Sequence, residues 1–335
     1  MKLLLRFDVD SIVGMGHAKR CIALIKYLHN ISELDYLICT KKTDEIQEIL
    51  AEESLSNKVI FKDSNSEEQF ITRLVNQHPN SIIFLDKLYD YTANFIQSIR
   101  KNSKVVMFHN ECEGMYFSDV VIFPIAHLDP QIKDKLMKNN AIDLYTGFEY
   151  VIINDEIQSI ESTQLFHKPY MAITMGAADP RDMMSKILKF SQESKLSTKI
   201  VALYGRFYMN KENLIKNYNK IPNLTIKPFN YEDLFGATIA LSAFGVTPYE
   251  LIYKNIPVIT LGHNKKSSEG SDRLEKKTSL VTSLGLFDNL NSSALSIKVI
   301  SVMNQYQDVK LLQNKTHMDN LAVKRIADII IGLKR

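Results

Sequence analysis

The sequence predicts an α/β protein made of two doubly wound halves, each a parallel sheet covered by helices on both faces. Three observations carry that prediction. Short apolar runs alternate with segments of helical spacing; the alternation restarts after a polar stretch near the middle; and 335 residues exceed what one ordinary hydrophobic core spans.

In the first half the predicted strands are LLLRFD (3–8), DYLICT (35–40), KVIFK (58–62), SIIFLD (81–86), KVVMFH (104–109) and DVVIF (119–123). Continuous apolar runs of this length fit strands buried on both faces. Between them CIALIKYLHN, TDEIQEILAEE, EEQFITRLVNQ and TANFIQSIRK place apolar residues at i, i+3 and i+4, the stripe of an amphipathic helix. The second half repeats the scheme with YMAITM (170–175), KIVALYG (199–205), LTIKPF (224–229), TIALSAF (238–244) and IPVITLG (256–262). The expected organisation is a Rossmann-like domain over 1–153, a linker at 154–168, and a second Rossmann-like domain over 169–335. The amphipathic segment at 317–333 is a final helix that can pack back on the first domain.

Composition narrows the function classes. Hydrophobic residues make up 45% and charged residues 24%, with 41 Lys and Arg against 38 Asp and Glu. No basic block or nucleic-acid-reading motif stands out, so nucleic acid is not an expected partner. Cys21, Cys39 and Cys112 form no CxxC pair, which points to a reduced, cytoplasmic compartment without a zinc site. The amino-terminal MKLLLRFDVD meets Arg6, Asp8 and Asp10 too early for a signal peptide, and no apolar run reaches membrane-spanning length. Oligomeric state does not follow from the sequence.

Chemistry is expected in the loops after strands. DVDSIVGMGHAKR (8–20) places Gly14 and Gly16 in the first strand-to-helix turn, where glycine lets backbone NH groups approach an anion at a helix start. GxGxxG is not matched, nor is GK[ST], so dinucleotide and P-loop readings fail. His17 stands at the helix start, whose positive end favours the neutral imidazole a general base needs; a histidine that merely shapes the turn fits this loop equally well. TMGAADPR (174–181) reads as a close-approach loop or as a capped helix, with Asp179 as N-cap and Pro180 in the first turn. SAFGVTPYEL (242–251) offers Thr247 to a phosphate and Glu250 to a ribose diol, or else a capping box of the same two residues. Lys265, Lys266 and Arg273 are expected in a solvated loop, HNKKSSEGSDR.

Taken together, Arg6, Asp8, Gly14, Gly16, His17 and Arg20, the GAADP loop, Ser242, Gly245, Thr247, Glu250 and Leu251, and the NIPVI run from Asn255 resemble the pseudaminic acid pathway hydrolases. Those enzymes remove UDP from UDP-2,4-diacetamido-2,4,6-trideoxy-β-L-altropyranose and are similar to SpsG proteins and to MurG-type GT-B glycosyltransferases. The resemblance implies a GT-B-like fold, two Rossmann-like domains with parallel sheets facing across a cleft. It implies His17 as the base that activates water at the anomeric carbon, with neither metal nor cofactor. Asp8, Gly14, Gly16, Arg20, Asp86, Tyr89 and Tyr150 would meet the sugar. Gly176, Ala177, Asp179, Gly205, Gly245, Val246, Thr247, Glu250 and Asn264 would hold a UDP-type nucleotide. His17 as a working base is the reading this shared order favours.

The pattern also departs from that family. GAADP replaces GGSDP, Phe108, His109 and Asn110 replace paired aspartates, His263, Asn264 and Lys265 stand where Asn-Gln is usual, and Phe244 replaces a small residue. The sugar is therefore open, and two alternatives stand: a GT-B glycosyltransferase acting on a surface glycan or flagellin, and a non-catalytic nucleotide-sugar binding protein.

Overall fold

Leu3, Leu4 and Leu5 are fully buried because strand β1 (Lys2–Arg6) lies inside a parallel sheet with helices on both sides. The computed structural model describes residues 1–9, 16–160, 169–193, 198–218, 220–305 and 318–333. The chain divides into two units: residues up to Asn154 together with those from Asp319 on, and residues from Asp155 to Met318.

In the first unit β1 is followed by α1 (Gly16–Ile31), β2 (Asp35–Lys41), α2 (Asp44–Glu52), β3 (Val59–Lys62), α3 (Glu67–Gln77) and β4 (Ser81–Leu85). Then come α4 (Ala93–Ile99), β5 (Ser103–Phe108), β6 (Val120–Phe123), α5 (Pro130–Met137) and β7 (Asp143–Thr146). The strands form one parallel sheet in the order β3-β2-β1-β4-β5-β6-β7. Helix starts follow local chemistry. Thr43 caps α2 and Thr92 caps α4, Asp129 caps α5 with Pro130 next to it, and Ser66 with Gln69 forms a full capping box on α3. Helix α1 buries Ala18, Cys21, Ile22, Leu24, Ile25 and Leu28, the stripe that helical spacing demands.

The second unit opens with α6 (Asp155–Ser159) and continues through β8 (Tyr170–Thr174), α7 (Met183–Glu193), β9 (Lys199–Tyr204), α8 (Lys211–Tyr218) and β10 (Leu224–Pro228). It goes on with α9 (Tyr231–Phe235), β11 (Ile239–Ala243), α10 (Thr247–Tyr253), β12 (Val258–Gly262), α11 (Lys265–Glu275), β13 (Val281–Leu286) and α12 (Ser292–Gln305). Its strands order as β10-β9-β8-β11-β12-β13, again all parallel.

The last helix, α13 (Ala322–Gly332), belongs to the first unit. Ile326, Ala327 and Ile330 are fully buried in the same core as Leu24 and Leu28 of α1. Arg325 secures the approach, donating to the Glu149 carbonyl at 2.9 Å and to both Asp319 carboxylate oxygens at 2.6 and 2.7 Å.

Three local expectations are corrected. Strands β7 and β13 are absent from the sequence reading, because DLYT and VTSLGL lack a continuous apolar run and are only partly buried. The stretch HNKKSSEGSDR is no loop: Asn264 and Ser267 form a reciprocal capping box that starts helix α11, with Lys265, Lys266 and Arg273 on it. Helix α7 starts at Met183, and Pro180 precedes it. Asp179 and Asp182 both take positive φ, 42° and 50°, and the turn they make separates Pro180 from the helix. Among the described residues no helix is long and apolar enough to cross a membrane.

Candidate active site

In a doubly wound sheet, ligands bind beyond the carboxyl ends of the strands where the winding reverses. In the first unit that point lies between β1 and β4, since β2 and β3 extend to one side and β5 to β7 to the other. The ladder continues one residue past β4, where the Asp86 NH donates to the Arg6 carbonyl at 2.9 Å. Asp86 therefore stands at the reversal, fully buried.

Helix α1 brings three side chains to it. His17 Nδ1 lies 2.7 Å from Asp86 Oδ1 and 2.9 Å from the Asp86 carbonyl oxygen. Arg20 donates from Nε to Asp86 Oδ2 at 2.5 Å and from its terminal nitrogen to Oδ1. The Cys21 thiol meets Oδ2 at 3.4 Å. His17, Arg20 and Cys21 meet one carboxylate because helical spacing sets them on one face. An Arg20 nitrogen also lies 2.8 Å from His17 Nδ1. Two Asp86 oxygens face Nδ1 against that one donor, and the donor already has Asp86 as acceptor, so the partners assign the proton to Nδ1. That tautomer leaves the basic lone pair on Nε2.

The electrostatics agree with a fixed carboxylate. Burial alone would raise the Asp86 pKa, but the Arg20 charge and then His17 outweigh it, and the carboxyl sits well below the usual range. Burial and the Asp86 charge push the Cys21 thiol up, so it remains a neutral donor. His109 follows β5 with a positive φ of 49°. Burial first, then the Arg20 charge, hold its imidazole well below the ordinary range. Asn110 donates to the Tyr89 carbonyl at 2.7 Å, fixing the loop after β4.

Behind this site is a second, ionic cluster. Arg6 is fully buried and grips two carboxylates: Asp8 at 2.5 and 2.9 Å, and Glu67 at 2.7 and 2.8 Å. Lys87 donates to Asp8 and lies 3.3 Å from Glu67, and the Tyr91 hydroxyl donates to Glu67 at 3.2 Å. Two cations and two carboxylates balance, which is what makes burying them tolerable. Asp8 also accepts from the Lys41 NH at 2.8 Å. Burial would raise Asp8, yet hydrogen bonding and charge from Arg6 and Lys87 hold it well below the carboxylate range.

Of the first-unit residues expected to meet the sugar, Arg20 and Asp86 come together, with the expected base His17. Asp8 is occupied with Arg6 and Lys87. Gly16 is the first residue of α1, and Gly14 lies outside the described residues. Tyr89 is exposed and packs on Tyr91 at 4.8 Å. Tyr150 packs edge-on against Tyr145 at 5.6 Å, over the core. Sequence reasoning missed Glu67, Lys87 and Tyr91; the one available signal was Arg6 itself, a charge inside an apolar strand that must find partners.

In the second unit the reversal lies between β8 and β11, where Thr174 and Ser242 are register partners. Their loops hold the expected nucleotide residues. Gly176 has a φ of 83°, in the left-handed region that favours glycine. Gly205, after β9, lies so close to the Gly176 and Ala177 carbonyls that a Cβ there would collide with both. The Phe207 NH donates to the Ala177 carbonyl at 2.9 Å. After β11, Gly245 and Val246 are exposed and Thr247 begins α10. No side chain caps that helix, and the alternative reading of Thr247 and Glu250 as a capping box does not hold, because Val246 occupies the cap position. Glu250 is buried, with the Tyr231 hydroxyl 3.5 Å from its Oε1.

Two of the expected nucleotide residues have structural partners. Both Asp179 oxygens accept from the first NH groups of α7, Met183 and Met184, each at 2.9 Å. Asn264 accepts from the Ser267 NH at 2.9 Å. Arg181 joins three strand-end loops, donating to the His263 carbonyl and to Asp288, the latter at 2.5 Å.

Two parallel sheets with helices, each carrying polar loops at its point of reversal, define a GT-B-like fold. No family model matches the chain. An uncharacterized protein of Methanocaldococcus jannaschii is 24% identical over 294 residues, a match covering 83% of this chain and 59% of that protein. The chain thus spans less than two thirds of the relative's length. MurG of Acinetobacter baumannii is similar in structure with a TM-score of 0.69 at 12% identity, over 99% of this chain and 100% of MurG. The UDP-GlcNAc 2-epimerase of M. jannaschii, solved in complex with UDP-GlcNAc and UDP, gives 0.64 at 16% identity, over 99% and 100%. The fold is related to those of MurG and the UDP-GlcNAc 2-epimerases.

Proposed function

We propose that this chain is a nucleotide-sugar hydrolase that releases UDP from a UDP-linked 2,4-diacetamido-2,4,6-trideoxyhexose, in nonulosonate or surface-glycan synthesis. The observation that supports this reading most is the His17 ring bonded through Nδ1 to the buried Asp86 carboxylate. A histidine held in this tautomer by a carboxylate is built to take a proton at Nε2. In the reaction, water oxygen bonds to the anomeric carbon, its proton passes to Nε2, and the bond from that carbon to the phosphate oxygen breaks. UDP leaves with the electron pair. Asp86 keeps the ring oriented and stabilises the imidazolium, while Arg20 keeps Asp86 ionised.

In this reading the loops of the second unit hold the nucleotide. Gly176, Ala177 and Gly205 give the diphosphate a close backbone, the uncapped start of α10 at Gly245, Val246 and Thr247 supplies NH donors and a hydroxyl, and Glu250 takes the ribose. Asp179 and Asn264 shape those loops through their helix caps. The domain assignment of the sequence reading, a base-bearing first domain and a nucleotide-binding second one, is part of the same proposal.

The likeness to MurG favours one other reading, glycosyl transfer, in which an acceptor hydroxyl replaces water at the same base. The test is release of UDP and free sugar from a panel of UDP-sugars without acceptor, for the wild type and His17→Ala. Release that depends on His17 supports hydrolysis. Release that appears only when a glycan or protein acceptor is added supports transfer, and no release with UDP still bound leaves a binding protein.

A further inference from the structure

Asp86 and Lys87 are consecutive, yet they serve opposite sides of the strand end. Asp86 takes His17, Arg20 and Cys21 from α1, while Lys87 takes Asp8 and Glu67. Lys87 stands at a bend, two residues past the end of β4, where the chain turns its side chain to the other cluster. The two clusters also share a backbone link: the Asp86 NH donates to the carbonyl of Arg6, whose side chain organises the ionic cluster. The titratable groups facing Lys87 and Arg6 are Asp8, two residues past β1, Glu67 from the start of α3 and the Tyr91 hydroxyl, and Arg6 also donates to the Phe7 and Cys39 carbonyls. Lys87 is the member with some solvent access, its side chain 20% exposed against 0% for Arg6 and 4% for Glu67.

We propose that Lys87 is a positioning residue for the His17–Asp86 pair: by joining Asp8 to Glu67 it fixes the strand end that aims the Asp86 carboxylate at Nδ1 of His17. Without its ammonium, two buried carboxylates share one guanidinium, and like charges forced together move apart. The strand end then shifts, and with it the Asp86 carboxylate. The ammonium touches neither the imidazole nor Asp86, so its effect on the ring travels through the backbone. The catalytic part of the proposal rests on His17 being the working base.

The test uses the full chain with Lys87→Met and Lys87→Arg, and reads the histidine ring resonances by NMR, His17→Ala assigning the His17 signal. Lys87→Met shifts the His17 ring resonances, and Lys87→Arg restores them. In the UDP-release assay Lys87→Met lowers kcat about tenfold or more while KM stays within about twofold, the loss expected when a reacting group is misplaced. Unmoved His17 resonances in a folded Lys87→Met protein overturn the proposal and leave Lys87 an ion partner alone. If Lys87→Met does not fold, the double variant Lys87→Met with Glu67→Gln removes one charge of each sign and decides by the same His17 shift. If the wild type releases no UDP, the hydrolase reading falls, while the resonances still decide whether Lys87 sets the ring.

Discussion

His17 Nδ1 and Asp86 Oδ1 lie 2.7 Å apart, joining the start of the first helix to the end of the fourth strand across 69 residues of sequence. The pair has two functions that substitution separates. His17 is only partly buried, whereas Asp86 is fully buried and carries the charge that compensates Arg20.

His17→Ala is expected to lower UDP release by about 10²–10⁴-fold, the span of a lost general base, with an unfolding midpoint close to wild type. Asp86→Ala removes the partner of a buried guanidinium and costs about 3–5 kcal/mol in addition to activity. Urea unfolding beside the kinetic assay distinguishes the two. A His17→Ala protein as destabilised as Asp86→Ala would make the histidine a structural residue.

Stability in acid follows from the same buried carboxylates. Asp8 and Asp86 both have folded pKa values below the ordinary range, so the unfolded state binds more protons as pH falls. Their contribution is complete above the unfolded carboxylate pKa of about 4. It is lost progressively as pH drops from there through the lowered folded values. Unfolding free energy measured from pH 6 to pH 2 should fall steeply below about pH 4, and Lys87→Met should flatten that fall by removing one of the charges that hold Asp8 down. A wild-type profile flat through that range would show that the Arg6 and Arg20 clusters do not form.

The legible part of this fold was what local pattern encodes. The apolar runs of β1, β4 and β11 are continuous because both faces are covered, and the spacing in α1 and α13 marks one buried stripe. The candidate site was legible where glycine and histidine stand together at a helix start, at Gly16 and His17. It was obscure where partners come from far along the chain. Glu67 reads as an ordinary acidic residue in a helix's first turn, and only the fold places it 2.7 Å from an arginine 61 residues earlier. Arg20 and Asp8 looked like groups for a ligand, because no sequence pattern reveals that Asp86 and Arg6 already engage them. The GAADPR turn was misread for a related reason. Two aspartates with positive φ, Asp179 and Asp182, break a helix start that Pro180 seemed to announce.

The glycines of the second unit separate packing from ligand contact. A Cβ at Gly205 would press on the Gly176 and Ala177 carbonyls, whereas one at Gly245 meets nothing within 4 Å. Gly205→Ala should therefore cost about 1–3 kcal/mol through overpacking and weaken UDP binding by displacing the Gly176 turn. Gly245→Ala should leave stability within about 0.5 kcal/mol and weaken UDP only if phosphate approaches that backbone. Calorimetric titration of UDP into both variants checks this. Undiminished affinity in Gly245→Ala would remove the start of α10 from the nucleotide site.

Asp179 offers the sharpest division between a ligand group and a structural one. Its two oxygens take the first NH groups of α7 at 2.9 Å each. Burial, its largest influence, raises its pKa, and those two NH donors lower it by a smaller amount. A carboxylate so placed repels a diphosphate and satisfies the helix start itself. Asp179→Ala should cost about 0.5–2 kcal/mol, as for a lost N-cap, while Asp179→Asn retains part of that stability because an amide oxygen still caps. With the charge gone and a cap retained, UDP binding should be unchanged or tighter in Asp179→Asn, whereas Asp179→Ala, which loses the cap that shapes the loop, should bind UDP more weakly. A large loss of UDP affinity in Asp179→Asn, with most of the stability retained, would instead make the side chain a nucleotide ligand, since the amide oxygen keeps one of the two cap bonds.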